Sequence, residues 1–194
     1  MQPKIRAGLL VHFRATVEQL GGSVDQILRR AGQAASVLRS PALYLPFNDY
    51  LKLLDAAAWN TQCPHFGLLM ARQLGAQHFG VAGFIMSQAD SVGSAWLALQ
   101  KFYHCHDSYG VIVDSETDGL HYLRYEIPHY DTPGARQAID VLAGISINIH
   151  RMLCGARAVP EAFHFPYPKP DDIAPYKALG CDKVLFQQMG YAMI

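Results

Sequence analysis

The chain has 194 residues, of which 51% are hydrophobic and 16% are charged, and its 16 lysine and arginine residues balance 16 aspartate and glutamate residues. This length fits one domain, and the chain is too apolar and too weakly charged to be disordered. A formal charge of zero lacks the basic excess of a domain that grips nucleic acid by its phosphates. Any contact with DNA is therefore not expected to rest mainly on these residues.

The ends of the chain and its cysteines indicate a cytoplasmic protein. The apolar stretch Ala7–Val11 is too short for a signal sequence, and no run approaches the roughly 20 apolar residues that span a bilayer. The last residues, Tyr191–Ile194, are apolar, which favours a fragment cut from a longer protein. The four cysteines form no CxxC pair and are expected to be reduced thiols: Cys63, Cys105, Cys154 and Cys181.

Helical periodicity dominates residues 1–107. Apolar residues recur at helical spacing from Ile5 to Leu20, and a pair of glycines ends that helix. The stretch Phe79–Met86 is rich in glycine and fits either a short buried helix or a connector. The other predicted helices are Val24–Ala31 between caps at Ser23 and Gly32, a helix from Asn48 or Asp49 to Asn60, His65–Leu74, and a helix from a cap at Ser91 to about His106.

Residues 108–194 change to strand periodicity. The runs Gly110–Val113 and Leu120–Ile127 flank Asp118-Gly119, a dipeptide typical of a tight β-hairpin. Alternation along the second run puts one set of side chains toward the core: Leu123, Tyr125 and Ile127. Arg124 and Glu126 belong to the opposite face.

A long helix and further strands follow the hairpin. The helix is predicted to begin at Thr132 and Pro133. Proline has no backbone N–H, but N–H groups in the first turn of a helix have no partner within the helix, so proline is tolerated there. Its predicted core face carries Ile139, Leu142, Ile145, Ile149 and Leu153. The remaining predicted elements are a strand at Ala162–Phe165, a short helix at Asp172–Leu179, and a final strand region at Val184–Phe186 with Tyr191–Ile194.

This order of elements predicts an α+β fold. An N-terminal helical half, about residues 1–107, precedes a small antiparallel sheet of about four strands with a long packed helix, about residues 108–194. We predict that residues 1–194 form a single domain.

Two histidines flank a cysteine in the segment Tyr103–Asp107, a composition that could bind a metal. Side chains two residues apart on a helix point about 200° apart, so His104 and His106 cannot hold one ion while the helix stays regular. Placement at the end of a helix, where histidine complements the helix dipole, is the simpler interpretation.

The sequence gives little sign of catalysis. It contains no GxSxG nucleophile motif and no phosphate-binding glycine loop, and Asp171-Asp172 fits a helix cap. We therefore predict a protein that is not an enzyme and needs no cofactor or metal. Two alternatives stay open: a metal- or haem-binding redox sensor using His104, Cys105 or His106, and a small enzyme with a Cys–His pair.

Aromatic residues are abundant, with 10 tyrosine, 9 phenylalanine and 2 tryptophan residues, and most of them are expected in the core. An apolar cavity with a few hydroxyl or indole groups is how pockets for small ligands are built. We predict such a pocket between the helical half and the sheet. The candidate ligand contacts are Phe84, Met86, Trp96, Tyr103, Tyr122 and Tyr125.

An ordered set of motifs resembles the N-terminal effector-binding domain of AraC/XylS-type transcription regulators, in the group with an arabinose-binding-like domain. The set runs through nearly the whole chain. Its members are Leu20-Gly-Gly-Ser-Val-Asp-Gln-Ile-Leu28, Leu43-Tyr-Leu-Pro46, Phe66-Gly-Leu-Leu69, Phe79-Gly-Val-Ala-Gly83, Ala95-Trp-Leu-Ala-Leu-Gln-Lys-Phe-Tyr103, Phe163-His-Phe-Pro-Tyr-Pro168 and Val184-Leu-Phe186.

The resemblance implies a cytoplasmic sensor domain whose parent protein carries a C-terminal helix-turn-helix domain that is absent from this chain. It also implies a small-molecule effector, a homodimer, DNA contact only through the absent domain, and no association with a membrane. The matching residues are glycines, prolines and apolar residues of the scaffold. For this reason the resemblance does not identify the effector or any residue that binds it.

Overall fold

The computed structural model describes residues 2–194, and helices make up most of the first half. Short 3-10 turns connect several of them. The α-helices are α1 (Phe13–Gln19), α2 (Val24–Ala31), α3 (Phe47–Asn60), α4 (Phe66–Met70), α5 (Val81–Ser87), α6 (Val92–Phe102), α7 (Ala135–Cys154) and α8 (Ala174–Lys177).

The strands of the described residues form two sheets. β1 (Lys4–Arg6) pairs antiparallel with β2 (Tyr44–Pro46) in a small sheet of two strands. The main sheet has the strand order β3-β4-β7-β5-β6. Its strands are β3 (Val111–Thr117), β4 (Leu120–Glu126), β5 (Phe163–His164), β6 (Val184–Leu185) and β7 (Tyr191–Met193). The combination of a helical half and a separate sheet confirms the predicted α+β class.

Serine caps start two of the predicted helices at their predicted positions. Ser23 and Ser91 each accept a hydrogen bond from the backbone N–H three residues later, which starts α2 and α6. Gly32, with a φ of 66°, ends α2 in the left-handed conformation. The stretch Phe79–Met86, which the sequence left open, contains the short helix α5.

The N-terminal segment differs from its prediction. Instead of one helix from Ile5 to Leu20, it forms β1, a 3-10 turn over Ala7–Leu10, and the short helix α1. Ile5 pairs with Leu45 of β2, and this pairing takes the first residues out of the helix. Local periodicity carries no signal for a partner so far along the chain.

The hairpin β3–β4 forms as predicted. Asp118 and Gly119 both take positive φ values, 54° and 76°, as a two-residue hairpin turn requires. Leu123 and Tyr125 are buried beneath the sheet, whereas Glu126 is exposed on the opposite face.

The rest of the main sheet differs from prediction in two respects. It has five strands rather than about four, because the final strand region divides into β6 and β7. It is also not wholly antiparallel, since β5 and β6 run parallel. β7 is the last strand along the chain, yet it lies in the middle of the sheet between β4 and β5.

Helix α7 links the two halves of the molecule, because it contacts β7 of the sheet and both α3 and α4 of the helical half. It begins at Ala135 rather than at Pro133, since Gly134 before it takes a φ of 84°. Four of its five predicted core residues are buried, and Leu153 is half-buried. One hydrophobic core includes residues of both halves. None of the helices that the structure describes is long and apolar enough to cross a membrane.

Candidate functional site

A largely apolar cavity of about 370 Å³ lies where the main sheet meets α6 and the end of α7. Cavities of this size with a few polar groups are typical binding sites for small ligands. We call this cavity the inner pocket. The residues that form its principal walls are Val92, Gly93 and Trp96 of α6, Asp114 and Leu123 of the hairpin, and Met193 of β7.

Local sequence rules place these walls. Ser91 caps α6, and about one turn later Trp96 faces the sheet and is only 7% exposed. Asp114 lies opposite Leu123 in the antiparallel register of the hairpin, and Leu123 lies opposite Met193. Because side chains alternate along a strand, these residues all belong to the inner face of the sheet.

The ionisable groups of the inner pocket include a carboxylate and two histidines. His121 Nδ1 lies 3.8 Å from Asp114 Oδ1, and its Nε2 lies 3.6 Å from Glu116 Oε2. The Asp114 side chain is only 13% exposed, and its carboxylate receives no hydrogen bond from residues 2–194. Burial, assisted by the charge of Arg151, lowers the pKa of His150, so this third lining residue is neutral at pH 7.

A second cavity of about 550 Å³ lies on the opposite face of the sheet, and we call it the outer pocket. Tyr122 and Arg124 of β4 and His164 of β5 line it. The Arg124 guanidinium lies 4.7 Å from the centre of the Tyr122 ring and donates a hydrogen bond to the Ser115 hydroxyl. The outer pocket therefore holds a guanidinium, which the described lining of the inner pocket lacks, together with the carboxylate of Glu126.

The six predicted ligand contacts do not meet in one place. Trp96 lines the inner pocket and Tyr122 lines the outer pocket. Phe84 is 66% exposed on α5. The other three are buried in the core: Met86, Tyr103 and Tyr125. As contacts of a ligand, all six stay predictions.

Sequence reasoning missed the polar residues of the inner pocket. Asp114, His121 and His150 were not among the predicted ligand contacts, although all three line the cavity. The available signal was an acidic residue directly after the predicted strand run Gly110–Val113, and the structure includes that residue in β3. Reading it required the register of the hairpin, which places Asp114 opposite the buried Leu123.

Tyr103 and Tyr125 belong to a polar cluster in the core. The Tyr125 hydroxyl donates to the Asp107 carboxylate at 2.6 Å, and the two tyrosine rings meet edge to face at 5.9 Å. Burial raises the pKa of Asp107 to about 6. The space between these rings and Tyr50 measures only about 10 Å³, which has room for at most one water molecule.

The two histidines that flank Cys105 lie in different environments. His104 is exposed, and its Nδ1 lies 3.0 Å from the Lys101 carbonyl oxygen. His106 is buried against Phe79, neither ring nitrogen has a hydrogen-bond partner in the part of the chain that the structure describes, and burial lowers its pKa to about 3. Within residues 2–194, no three His, Cys, Asp or Glu side chains gather as a metal site requires. The cysteines are all free.

A second buried carboxyl group fastens α7 to the segment that follows β5. Asp140 accepts hydrogen bonds from the hydroxyls of Tyr167 and Tyr176, the latter at 3.1 Å. Arg136 donates in turn to the Tyr176 hydroxyl at 3.1 Å. Burial raises the pKa of Asp140 to about 7. These residues line neither pocket, so the network acts on the packing of α7.

Comparison with protein families covers both halves of the fold. The model of the family described as "Arabinose-binding domain of AraC transcription regulator, N-term" matches residues 21–194. The chain belongs to this family. The match extends from before α2 to the end of β7, so the walls of the inner pocket all lie within the AraC-type domain.

One relative and one protein of similar fold show how much of a regulator the AraC-type domain represents. It is 24% identical over 180 residues to the HTH-type transcriptional regulator VirS from two strains of Mycobacterium tuberculosis, covering 91% of this chain and 53% of VirS. The transcriptional regulator CdpR from Pseudomonas aeruginosa has a similar fold, with a TM-score of 0.61 at 15% identity over 94% of this chain and 54% of CdpR. The chain thus spans about half the length of these regulators.

Proposed function

We propose that this chain is the effector-binding domain of a cytoplasmic AraC-type transcriptional regulator and that its effector occupies the inner pocket. The observation that carries the proposal is the cavity itself, whose walls come from α6 of the helical half and from the hairpin and β7 of the sheet. We further propose that residues 1–194 act as one domain and that a helix-turn-helix domain outside them contacts DNA. The coverage of 53% of VirS supports this division.

Binding in the inner pocket would couple to DNA through a shift between two arrangements of the domain. A ligand would touch α6, the hairpin and β7 at once, so it would favour the arrangement in which these three elements fit it best. The family is the N-terminal part of its regulators, so the chain of such a regulator continues from β7 towards the rest of the protein. Because Met193 of β7 lines the pocket, a ligand would act directly on that connection.

Filling or enlarging the inner pocket tests this proposal. In a thermal-shift screen of amino acids, organic acids, amines, sugars and nucleotides, an effector at a hundred times its Kd stabilises the protein by about 3 kcal/mol. We expect Trp96→Ala to weaken that shift and Gly93→Leu to abolish it. Gly93 has open space around its Cβ position, so leucine can enter the cavity without displacing the core.

Trp59→Ala is the matched control, because Trp59 lies on α3 outside the inner pocket and is 63% exposed. Its ring stacks on Arg30 at 4.2 Å, so the control also removes a tryptophan that makes a contact. The effector shift should persist in this variant. A shift that survives Gly93→Leu would place the effector elsewhere and contradict the proposal.

We also propose that the domain forms a homodimer, in keeping with the family resemblance and with the prevalence of two-fold dimers among soluble oligomers. Sedimentation equilibrium of this chain across a range of concentrations should then give a mass between one and two copies that rises with concentration. A monomer mass throughout the range would contradict dimerisation by this domain. Adding a ligand found in the screen would show whether binding changes the association.

A further inference from the structure

The inner pocket carries negative rather than positive charge. Among its described lining residues there is no lysine or arginine, and Asp114 supplies a carboxylate. Glu116 lies beyond Asp114 on the same face of β3 and adds a second carboxylate beside His121. His150, on the α7 side, is neutral at pH 7 because burial lowers its pKa. A ligand with a positive group therefore meets an attractive field at this edge.

The Asp114 carboxylate is held in place but left without a hydrogen-bond donor. Its backbone N–H donates to the Gln100 side chain at 3.2 Å, and the strand register fixes its side chain on the inner face. The nearest ionisable nitrogen, His121 Nδ1, is 3.8 Å away, which is too long for a hydrogen bond. Because an ionised carboxylate only accepts hydrogen bonds, a ligand bound here can pair with it by providing a donor.

The remaining walls are apolar and include an aromatic ring. Trp96, Val92 and Leu123 present an indole and aliphatic side chains to the cavity. An aromatic or branched body would bury its surface there, and the indole ring also attracts cations. The outer pocket differs, since its lining pairs the guanidinium of Arg124 with the carboxylate of Glu126. Of the two pockets, only the inner one has a carboxylate and no lysine or arginine among its described lining residues.

We propose that the effector of the inner pocket is a hydrophobic cation: a protonated amine on an aromatic or branched aliphatic body, with its ammonium group on Asp114 and its body against Trp96. This inference rests on the proposed function, because it names the class of molecule that the inner pocket takes. The amine keeps its proton and forms a charge-assisted hydrogen bond, and no covalent bond is made or broken.

Three probes of similar shape test the charge preference: phenethylamine, phenethyl alcohol and phenylacetate. Calorimetric titration at neutral pH should show the amine binding to the wild type more tightly than the alcohol and far more tightly than the acid. In Asp114→Asn, which keeps the shape of the side chain, the amine should bind about tenfold to a hundredfold more weakly. The alcohol should change by no more than about twofold, because it forms no ion pair.

Arg124→Gln in the outer pocket is the control, and it should leave binding of the amine unchanged. The cation preference would be overturned if all three probes bound the wild type with equal affinity, and if that binding were lost in Gly93→Leu but kept in Asp114→Asn. That result would leave the proposed function standing, because the probes would still bind in the inner pocket. Tighter binding of phenylacetate would also overturn it. If no probe binds the wild type, the assignment to hydrophobic cations is wrong, and the broader screen with Trp96→Ala still tests the pocket separately.

Discussion

Replacing Asp140 with alanine is expected to lower the free energy of unfolding by about 3–5 kcal/mol, measured by chemical denaturation at pH 6. The substitution removes the acceptor of two tyrosine hydroxyls, from Tyr167 and Tyr176, and leaves a cavity beside α7. Asp140 is fully buried, so water cannot replace the lost hydrogen bonds without entering the core.

The same substitution at an exposed position provides the control. Asp55 lies on the exposed side of α3, and Asp55→Ala should change the stability by less than about 0.5 kcal/mol. Tyr167→Phe and Tyr176→Phe each remove one donor and should each cost about 1 kcal/mol. A loss of less than 1 kcal/mol in Asp140→Ala would show that the network does not fasten α7 to the rest of the fold.

The raised pKa of Asp140 adds a dependence on pH to this prediction. The folded protein keeps the Asp140 proton up to about pH 7, whereas the unfolded chain loses it near the ordinary value of 3.8. The contribution of Asp140 to stability therefore decreases as the pH rises from about 4 to about 7. Asp140→Asn cannot lose a proton, so the stability of the wild type minus that of this variant should be larger at pH 5 than at pH 8. The histidines with lowered pKa values also make stability depend on pH, but they are present in both proteins, so their contributions cancel when the stability of the variant is subtracted from that of the wild type.

Gly83→Ala is expected to destabilise the protein by about 3 kcal/mol. Gly83 lies on α5, where a Cβ atom would overlap the carbonyl oxygen of Ala76 in the preceding 3-10 turn. The obstacle is backbone, and Ala76 is buried, so neither a rotamer change nor a small shift can relieve it. Unfolding in urea, followed by circular dichroism, would measure the loss.

Gly93→Ala is the matched control for this change. Gly93 is also helical, but a Cβ atom there meets no neighbour within 4 Å. Alanine favours helix over glycine by up to about 1 kcal/mol, so this variant should be as stable as the wild type or slightly more stable. Equal stabilities of the two variants would mean that the turn before α5 moves freely, contrary to the close packing described here.

Sequence periodicity predicted those parts of the fold that depend on neighbours along the chain. The caps at Ser23 and Ser91, the turn at Asp118-Gly119 and the buried face of α7 all follow from interactions within a few residues. The strand β1 and the parallel pair β5–β6 do not, because their partners lie far away in sequence. The sequence predicted strands where β5 and β6 form, but local alternation does not show that the two strands pair in parallel.

The inner pocket was predictable in position but not in composition. The boundary between the helical half and the sheet follows from the order of elements, and Trp96 lines a cavity at that boundary. The six predicted ligand contacts do not gather around one cavity, because the core and the walls of a cavity favour the same aromatic and apolar residue types. Tyr125 illustrates this, since its hydroxyl is satisfied by Asp107 inside the core rather than by a ligand.

The central position of β7 bears on how the protein forms during synthesis. In the main sheet, β7 is the strand that joins the hairpin β3–β4 to the pair β5–β6, and it is synthesised after both. Until residue 193 has left the ribosome, these two pieces have no strand to join them, and each exposes an unpaired edge. We therefore expect the main sheet to assemble only after β7 has been translated. The unpaired strand edges make the nascent chain most prone to aggregation just before β7 emerges.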